Sequence, residues 1–156
     1  MPLMNNAVVI DANVLIAICA KEIGKHQTAQ NAFDLYAQQG WEFFAPSVIV
    51  AEVMFILCQK QNDGSLTKAE HEKALETFND LMTIISPTPN GEASLIDRAD
   101  QIRSGYGCSR SSDSLFIALA EELTKTYTVE ILTFDKGFVN QSAKNTQNIK
   151  INLLPV

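Results

Sequence analysis

The stretch Val8-Val9-Ile10-Asp11-Ala12-Asn13-Val14-Leu15-Ile16-Ala17 changes character at Asp11. Before it stands a short β-branched run with no helical period. After it, residue types suited to helix caps precede a second apolar run. The reading is a buried strand that feeds a helix, with an acid at the join. Strand and helix signals alternate from there on. Ala29, Ala32, Phe33, Tyr36 and Ala37 follow helical spacing between Lys25 and Gln39, and Gly40 supplies the stop. Phe43-Phe44-Ala45 predicts a second strand closed by Pro46. Ser47 is then expected to cap a helix from Val48 to about Gln59 that is apolar nearly all round, apart from Glu52.

Asn62-Asp63-Gly64-Ser65 is turn chemistry, and Thr67 with Glu70 forms a capping box ahead of an amphipathic helix carrying Ala74, Leu75, Phe78, Leu81 and Met82. Thr83-Ile84-Ile85 predicts a third strand, and Pro87 to Gly91 a loop. Ala93, Ile96, Ala99 and Ile102 mark a helix ended by Gly105 and Gly107; Ser111 or Ser112 caps the next, carried by Leu115, Phe116, Ala118, Leu119 and Leu123. Val129, Ile131 and Leu132 form a fourth strand ending at Thr133-Phe134-Asp135, and Ile149 to Leu153 reads as a fifth. Continuous apolar strands alternating with helices imply an α/β fold: a three-layer α/β/α sandwich around a central, mostly parallel five-stranded sheet, as a single domain over 1–156. Ligands of such sheets lie at the carboxyl ends of the strands, which puts Asp11 and Asp135 at one crevice.

Composition narrows the function. The 156 residues are 46% hydrophobic and 19% charged, which excludes a disordered or low-complexity chain. A net charge of −6 repels nucleic acid, so any such contact must be local or metal-mediated. Cys19, Cys58 and Cys108 are odd in number and widely spaced, and they are expected as small buried residues of a reduced chain. The apolar stretch from Ala7 to Ala20 is broken by Asp11 and Asn13 and lacks basic flanks, so no membrane span or signal peptide is expected and the cytoplasm is the expected location.

Asp11, Glu52, Asp113 and Asp135 each stand in apolar surroundings. Burying unpaired carboxylates is costly, and these stretches hold too few Lys or Arg to neutralise them all. Hard cations such as Mg²⁺ or Mn²⁺ would do so, since they take oxygen ligands; two His and no Cys cluster give little case for zinc. Taken singly, Asp11 also reads as a helix cap, Asp113 as a partner of a helix dipole and Asp135 as a turn residue. No cap or turn explains Glu52. His26, His71, Trp41, Phe43 and Phe44 read as surface histidines and core aromatics.

In four places the sequence resembles the PIN-domain family, in particular the small toxin ribonucleases of bacterial VapBC-type pairs: hydrophobic-Ile-Asp11-x-Asn13, Ser47 with Glu52, Ser112-Asp113 before Leu-Phe-Ile-Ala-Leu-Ala, and Thr133-x-Asp135-x-x-Phe138. The resemblance implies a metal-dependent ribonuclease with Asp11, Glu52, Asp113 and Asp135 as catalytic and metal-binding acids. It implies Asn13 and Thr133 as polar supports, with Ser112 in the same role, and a toxin's antitoxin partner. Gly137 departs from members that carry a further acid there. Arg103, Arg110 and Lys136 flank the acids and are expected to contact RNA, while Arg98 reads as a solvated helix face. The helix from Val48 to Cys58 is apolar in more directions than one core contact needs, which predicts a homodimer. Two other readings stand beside this one. One is a catalytically silent PIN-like interaction module; the other is a haloacid-dehalogenase-type phosphatase, whose D-x-D motif has Asn13 here in the second position.

Overall fold

Val8, Val9 and Ile10 are fully buried because they form the centre of the sheet. The computed structural model describes residues 4–105, 107, 108, 112–145 and 148–156. The order is β1 (Asn5–Ile10), α1 (Ala12–Cys19), α2 (His26–Gln38), β2 (Glu42–Phe44), α3 (Val48–Asn62), α4 (Lys68–Met82) and β3 (Ile85–Ser86), then a 3₁₀ turn (Glu92–Leu95). There follow α5 (Ile96–Ser104), α6 (Asp113–Leu123), β4 (Tyr127–Thr133), α7 (Lys136–Asn145) and β5 (Lys150–Leu153). The five strands pair in the order β3-β2-β1-β4-β5, and every pairing is parallel. No helix among the described residues is long and apolar enough to cross a membrane.

That order fixes the layers. The chain runs outward from β1 to β3, then returns past β1 to lay down β4 and β5 on its other side. Right-handed crossovers in opposite directions put their helices on opposite faces. Accordingly α1 packs with α2, α3 and α4, whereas α6 packs with α5 and α7 and lies on β1 and β4. β1 is thus flanked by β2 and β4 at the point where the strand order reverses, and the crevice for a ligand opens beyond its carboxyl end.

Local signals are realised where they are self-contained. Thr67 and Glu70 form the reciprocal capping box, and Gly40 takes φ 77° behind α2. Phe33 stacks on Phe43 at 4.3 Å, with Phe43 and Phe44 buried and Trp41 half-buried edge-on to Tyr36. Two expectations need correction, and one helix was not anticipated. Ser47 makes no capping bond through its side chain: its backbone is already helical, at φ −60° and ψ −24°, rather than extended as a cap requires, and its N–H donates to Glu92 Oε1 at 2.9 Å. Cys58 and Cys108 are exposed, and only Cys19 is buried; Cys58 falls beside Leu57 on α3, off the face buried through Ile49, Val53 and Leu57. Finally, α7 has no counterpart in the sequence reading. Its run of Gly, Asn and Ser hides a helix anchored by fully buried Phe138, which meets Phe116 edge to face at 6.1 Å.

Candidate active site

The end of β1 hands Asp11 to the first turn of α1. In-register pairing of Ile10 with Leu132 puts Asp11 beside the end of β4, where its N–H donates to Leu132 O at 3.0 Å. Thr133, fully buried, is the hub of this junction. Its hydroxyl donates to Asp11 Oδ2 at 2.7 Å and accepts from the Asp135 N–H at 2.9 Å and from Asn13 Nδ2 at 3.4 Å. Asn13 Oδ1 accepts from the Phe134 N–H at 3.2 Å, so both ends of that amide hold the β4–α7 connection. The Asp11 carboxylate also accepts from the Ala12 N–H at 2.7 Å, and Asp135 Oδ1 from the Gly137 N–H at 2.7 Å. Asp11 and Asp135 therefore do serve as local caps and still face the crevice.

Asp113 opens α6, and Glu52 comes from the second turn of α3. Ser112 is not a side-chain cap; its hydroxyl donates instead to Glu52 Oε1. Asp113 Oδ2 accepts from Gln141 Nε2 at 3.3 Å, so α7 contributes to the same region. All four acids line one open cleft of about 430 Å³, together with Asn13, Ile16, Glu22, Lys25, Phe55 and Ile56. Three of the acids, Asp11, Asp113 and Asp135, stand at the N-termini of α1, α6 and α7, where partial positive charge favours a carboxylate. Glu52 has no such help.

Burial pushes the Asp11 carboxyl up to about 7, against the hydrogen bonds from Thr133 and Ala12; the charges of Asp113 and Glu52 add to the rise. Glu52 is likewise pushed up to about 7, by burial first and then by Asp113.

A PIN domain profile matches residues 8–144. The chain belongs to the PIN-domain family. Three solved structures share the fold of this PIN domain. VapBC2 from Rickettsia felis, bound to a DNA fragment from their promoter, is 12% identical with a TM-score of 0.62, covering 96% of this chain and 99% of that one. FitAcB from Neisseria gonorrhoeae is 12% identical, with a TM-score of 0.57 and coverage of 92% and 95%. DNA-bound VapBC from Salmonella typhimurium is 13% identical, with a TM-score of 0.57 and coverage of 94% and 97%. No curated protein sequence matches the chain.

The side-chain groups with which this PIN domain's cleft could hold a cation are all oxygen: the carboxylates of Asp11, Glu52, Asp113 and Asp135 and the Asn13 amide oxygen. That suits a hard divalent ion, and the raised carboxyls of buried Asp11 and half-buried Glu52 show the cost of bringing such acids together out of water. Among the described residues no three acids, histidines or cysteines converge tightly enough to enclose an ion as they stand. The bond from Ser112 holds Glu52 beside the start of α6, where Asp113 stands, and Gln141 occupies one Asp113 oxygen, so the fit is one of chemistry and charge.

The basic residues divide differently from the sequence expectation. Arg103 lines a separate pocket of about 210 Å³ with Ile96, Ala99, Asp100, Ser114 and Leu115, and the structure does not bring it to the acidic cleft. Arg110 lies outside the described residues. Lys136 is exposed at the start of α7, next to Asp135. Arg98 is no solvated bystander: its guanidinium holds Glu121 through Nε at 2.7 Å and a terminal nitrogen at 2.9 Å. Lys25, which the sequence marks only as the start of a helical stretch, lines the cleft. Its only sequence signal is its place just after Gly24, in the turn that brings α2 back over α1. His26 and His71 do not line the cleft.

Proposed function

We propose that this PIN domain is a Mg²⁺- or Mn²⁺-dependent ribonuclease and the toxin of a type II toxin–antitoxin pair. The observation that carries the reading is the meeting of Asp11, Glu52, Asp113 and Asp135, from four separate segments, in one cleft at the strand-order reversal. Among the described residues no Ser-His or Cys-His pair lines the cleft, so hydrolysis would use water rather than a protein nucleophile. Asp11, Glu52, Asp113 and Asp135 would hold the cation. When bound, the cation supplies a nucleophile from water at neutral pH and offsets negative charge on phosphate. Thr133 and Asn13 keep Asp11 and the Asp135 backbone fixed while substrate comes and goes, and Ser112 keeps the Glu52 carboxylate turned towards Asp113's helix. Neutral pKa values at Asp11 and Glu52 let a cation replace protons in the working pH range.

The toxin assignment draws on the fold shared with the VapBC and FitAcB structures, and implies an antitoxin partner and a cytoplasmic site of action. A homodimer is part of the same proposal. Val50 and Met54 are exposed beside an apolar groove of about 370 Å³ between α3 and α4, and light scattering should return about twice the 17.2 kDa of one chain. The deciding experiment is cleavage of a mixed RNA panel with and without Mn²⁺. Parent protein should cut only with metal, and Asp11→Asn should be at least about 100-fold slower. A metal-saturated parent that cuts no RNA would leave the silent interaction module as the reading.

A further inference from the structure

Among the described residues Lys25 is the one cationic side chain that lines the acidic cleft, and none of the carboxylates beside it has captured it. Glu22, which shares the cleft, is paired with Lys60 at 3.1 Å. Lys25 makes no ion pair within 4 Å among the described residues. Its ammonium instead lies 5.4 Å from the centroid of the Phe134 ring, and Phe134 is the residue between Thr133 and Asp135. The backbone at Lys25 is fixed on both sides: its N–H donates to Glu22 O at 3.2 Å, and its carbonyl accepts from the Ala29 N–H at 2.9 Å.

An aromatic face attracts an ammonium through its quadrupole without discharging it or using up its three N–H donors. Lys25 is thus parked at the cleft with its charge and its donors still available. A chain of net charge −6 needs such a local cation wherever a polyanion is to enter. We propose that Lys25 is the phosphate-binding residue of this cleft, gripping a backbone phosphate of the RNA strand that crosses the four acids. The proposal rests on the ribonuclease reading and extends it to a residue outside the acidic set. A lysine head binds phosphate oxygen as a point charge, so it should contribute grip without base preference.

The test compares parent, Lys25→Gln and Lys25→Arg in saturating Mn²⁺, first by RNA cleavage across a KCl series. Lys25→Gln should raise KM about 5–10-fold with kcat within about 2-fold. It should also flatten the plot of log(kcat/KM) against log[KCl] by about 0.7, the contribution of one single-strand phosphate contact. Lys25→Arg should restore most of KM. Mn²⁺ alone should raise the melting temperature of Lys25→Gln at least as much as that of the parent. A Lys25→Gln protein with the parent's KM and salt slope overturns the proposal. So does one that loses kcat at unchanged KM, since that would mean Lys25 tunes the acids rather than holding substrate. A second arm measures equilibrium binding of a fluorescein-labelled single-stranded RNA in Mn²⁺. If the parent binds but does not cut, and Lys25→Gln binds more weakly with a flatter salt slope, Lys25 stands and the nuclease reading falls; if the parent does not bind, both fall.

Discussion

Asp11 and Glu52 bring the same charge into the same cleft, but the chain holds them by different means. Asp11 sits where two paired strands end, 7% exposed, with each carboxylate oxygen taken by a donor from β4 or from its own helix. Glu52 sits on the second turn of an apolar helix, half-buried, and takes a hydroxyl from Ser112, sixty positions away. The strand-tip half is fixed by sheet register and by a fully buried hub, Thr133. The helix-edge half, Glu52 with Ser112 and Asp113 with Gln141, depends on side chains from α3, α6 and α7 meeting. The first half is therefore the rigid one, and the second is where a cation would rearrange the acids.

Thr133→Val is the strongest way to break this contrast. It leaves a buried Asp11 oxygen and the Asp135 N–H without their partner, so stability should fall by about 1–3 kcal/mol, and cleavage by about 10–100-fold as for other residues that orient metal ligands. A calorimetric melt and a single-turnover assay check the two effects. A variant that melts and cuts like the parent removes the rigid-half argument.

Glu52→Gln tests the other half through pH. The Glu52 carboxyl is raised from 4.5 to about 7 in the metal-free fold, so the stability it contributes as a neutral acid is fully present below 4.5 and is lost as pH rises through 7. A permanently neutral Gln escapes that loss. Metal-free Glu52→Gln should melt a few degrees above the parent at pH 8, corresponding to about 1 kcal/mol once the shift is discounted for the solvent that screens a half-exposed group, and level with it near pH 4.5. Adding Mn²⁺ should reverse the order at pH 8, because the parent gains more from a ligand that binds only the folded state. Equal shifts at both pH values would place Glu52 outside the charged cluster.

Ser112→Ala should have a smaller effect, because Glu52 keeps access to solvent when the hydroxyl is lost. We expect under about 1 kcal/mol of destabilisation and a loss in kcat below about 10-fold, with Ser112→Thr close to the parent. The smallest effect belongs to Lys136→Ala, an exposed position next to Asp135. Melting should stay within about 0.5 kcal/mol of the parent, while RNA affinity falls only a few-fold. A larger loss than that at Lys25 would shift the substrate grip to the start of α7.

Much of this molecule was written locally. Val8 to Asn13 announces a buried strand with an acid at its tip, Thr67 with Glu70 starts α4 as a self-contained motif, and Gly40 ends α2. Such features involve neighbours within a turn, so the types and spacing of the residues are sufficient. The anomalous Glu52 was legible for the opposite reason, since nothing local accounts for it. Tertiary structure decided the rest, because each outcome depends on which distant group arrives first. Ser47 gives up its N–H to Glu92, Ser112 turns from its helix to Glu52, Arg98 is claimed by Glu121, and Arg103 is left in a different pocket from the acids. Buried Phe138 makes a helix of a segment with weak propensity, and the fold sets Lys25 on Phe134 at the cleft, across more than a hundred positions of sequence. Hydrogen-bond and charge partners are satisfied in space, so which donor meets which acceptor is settled only when the layers pack.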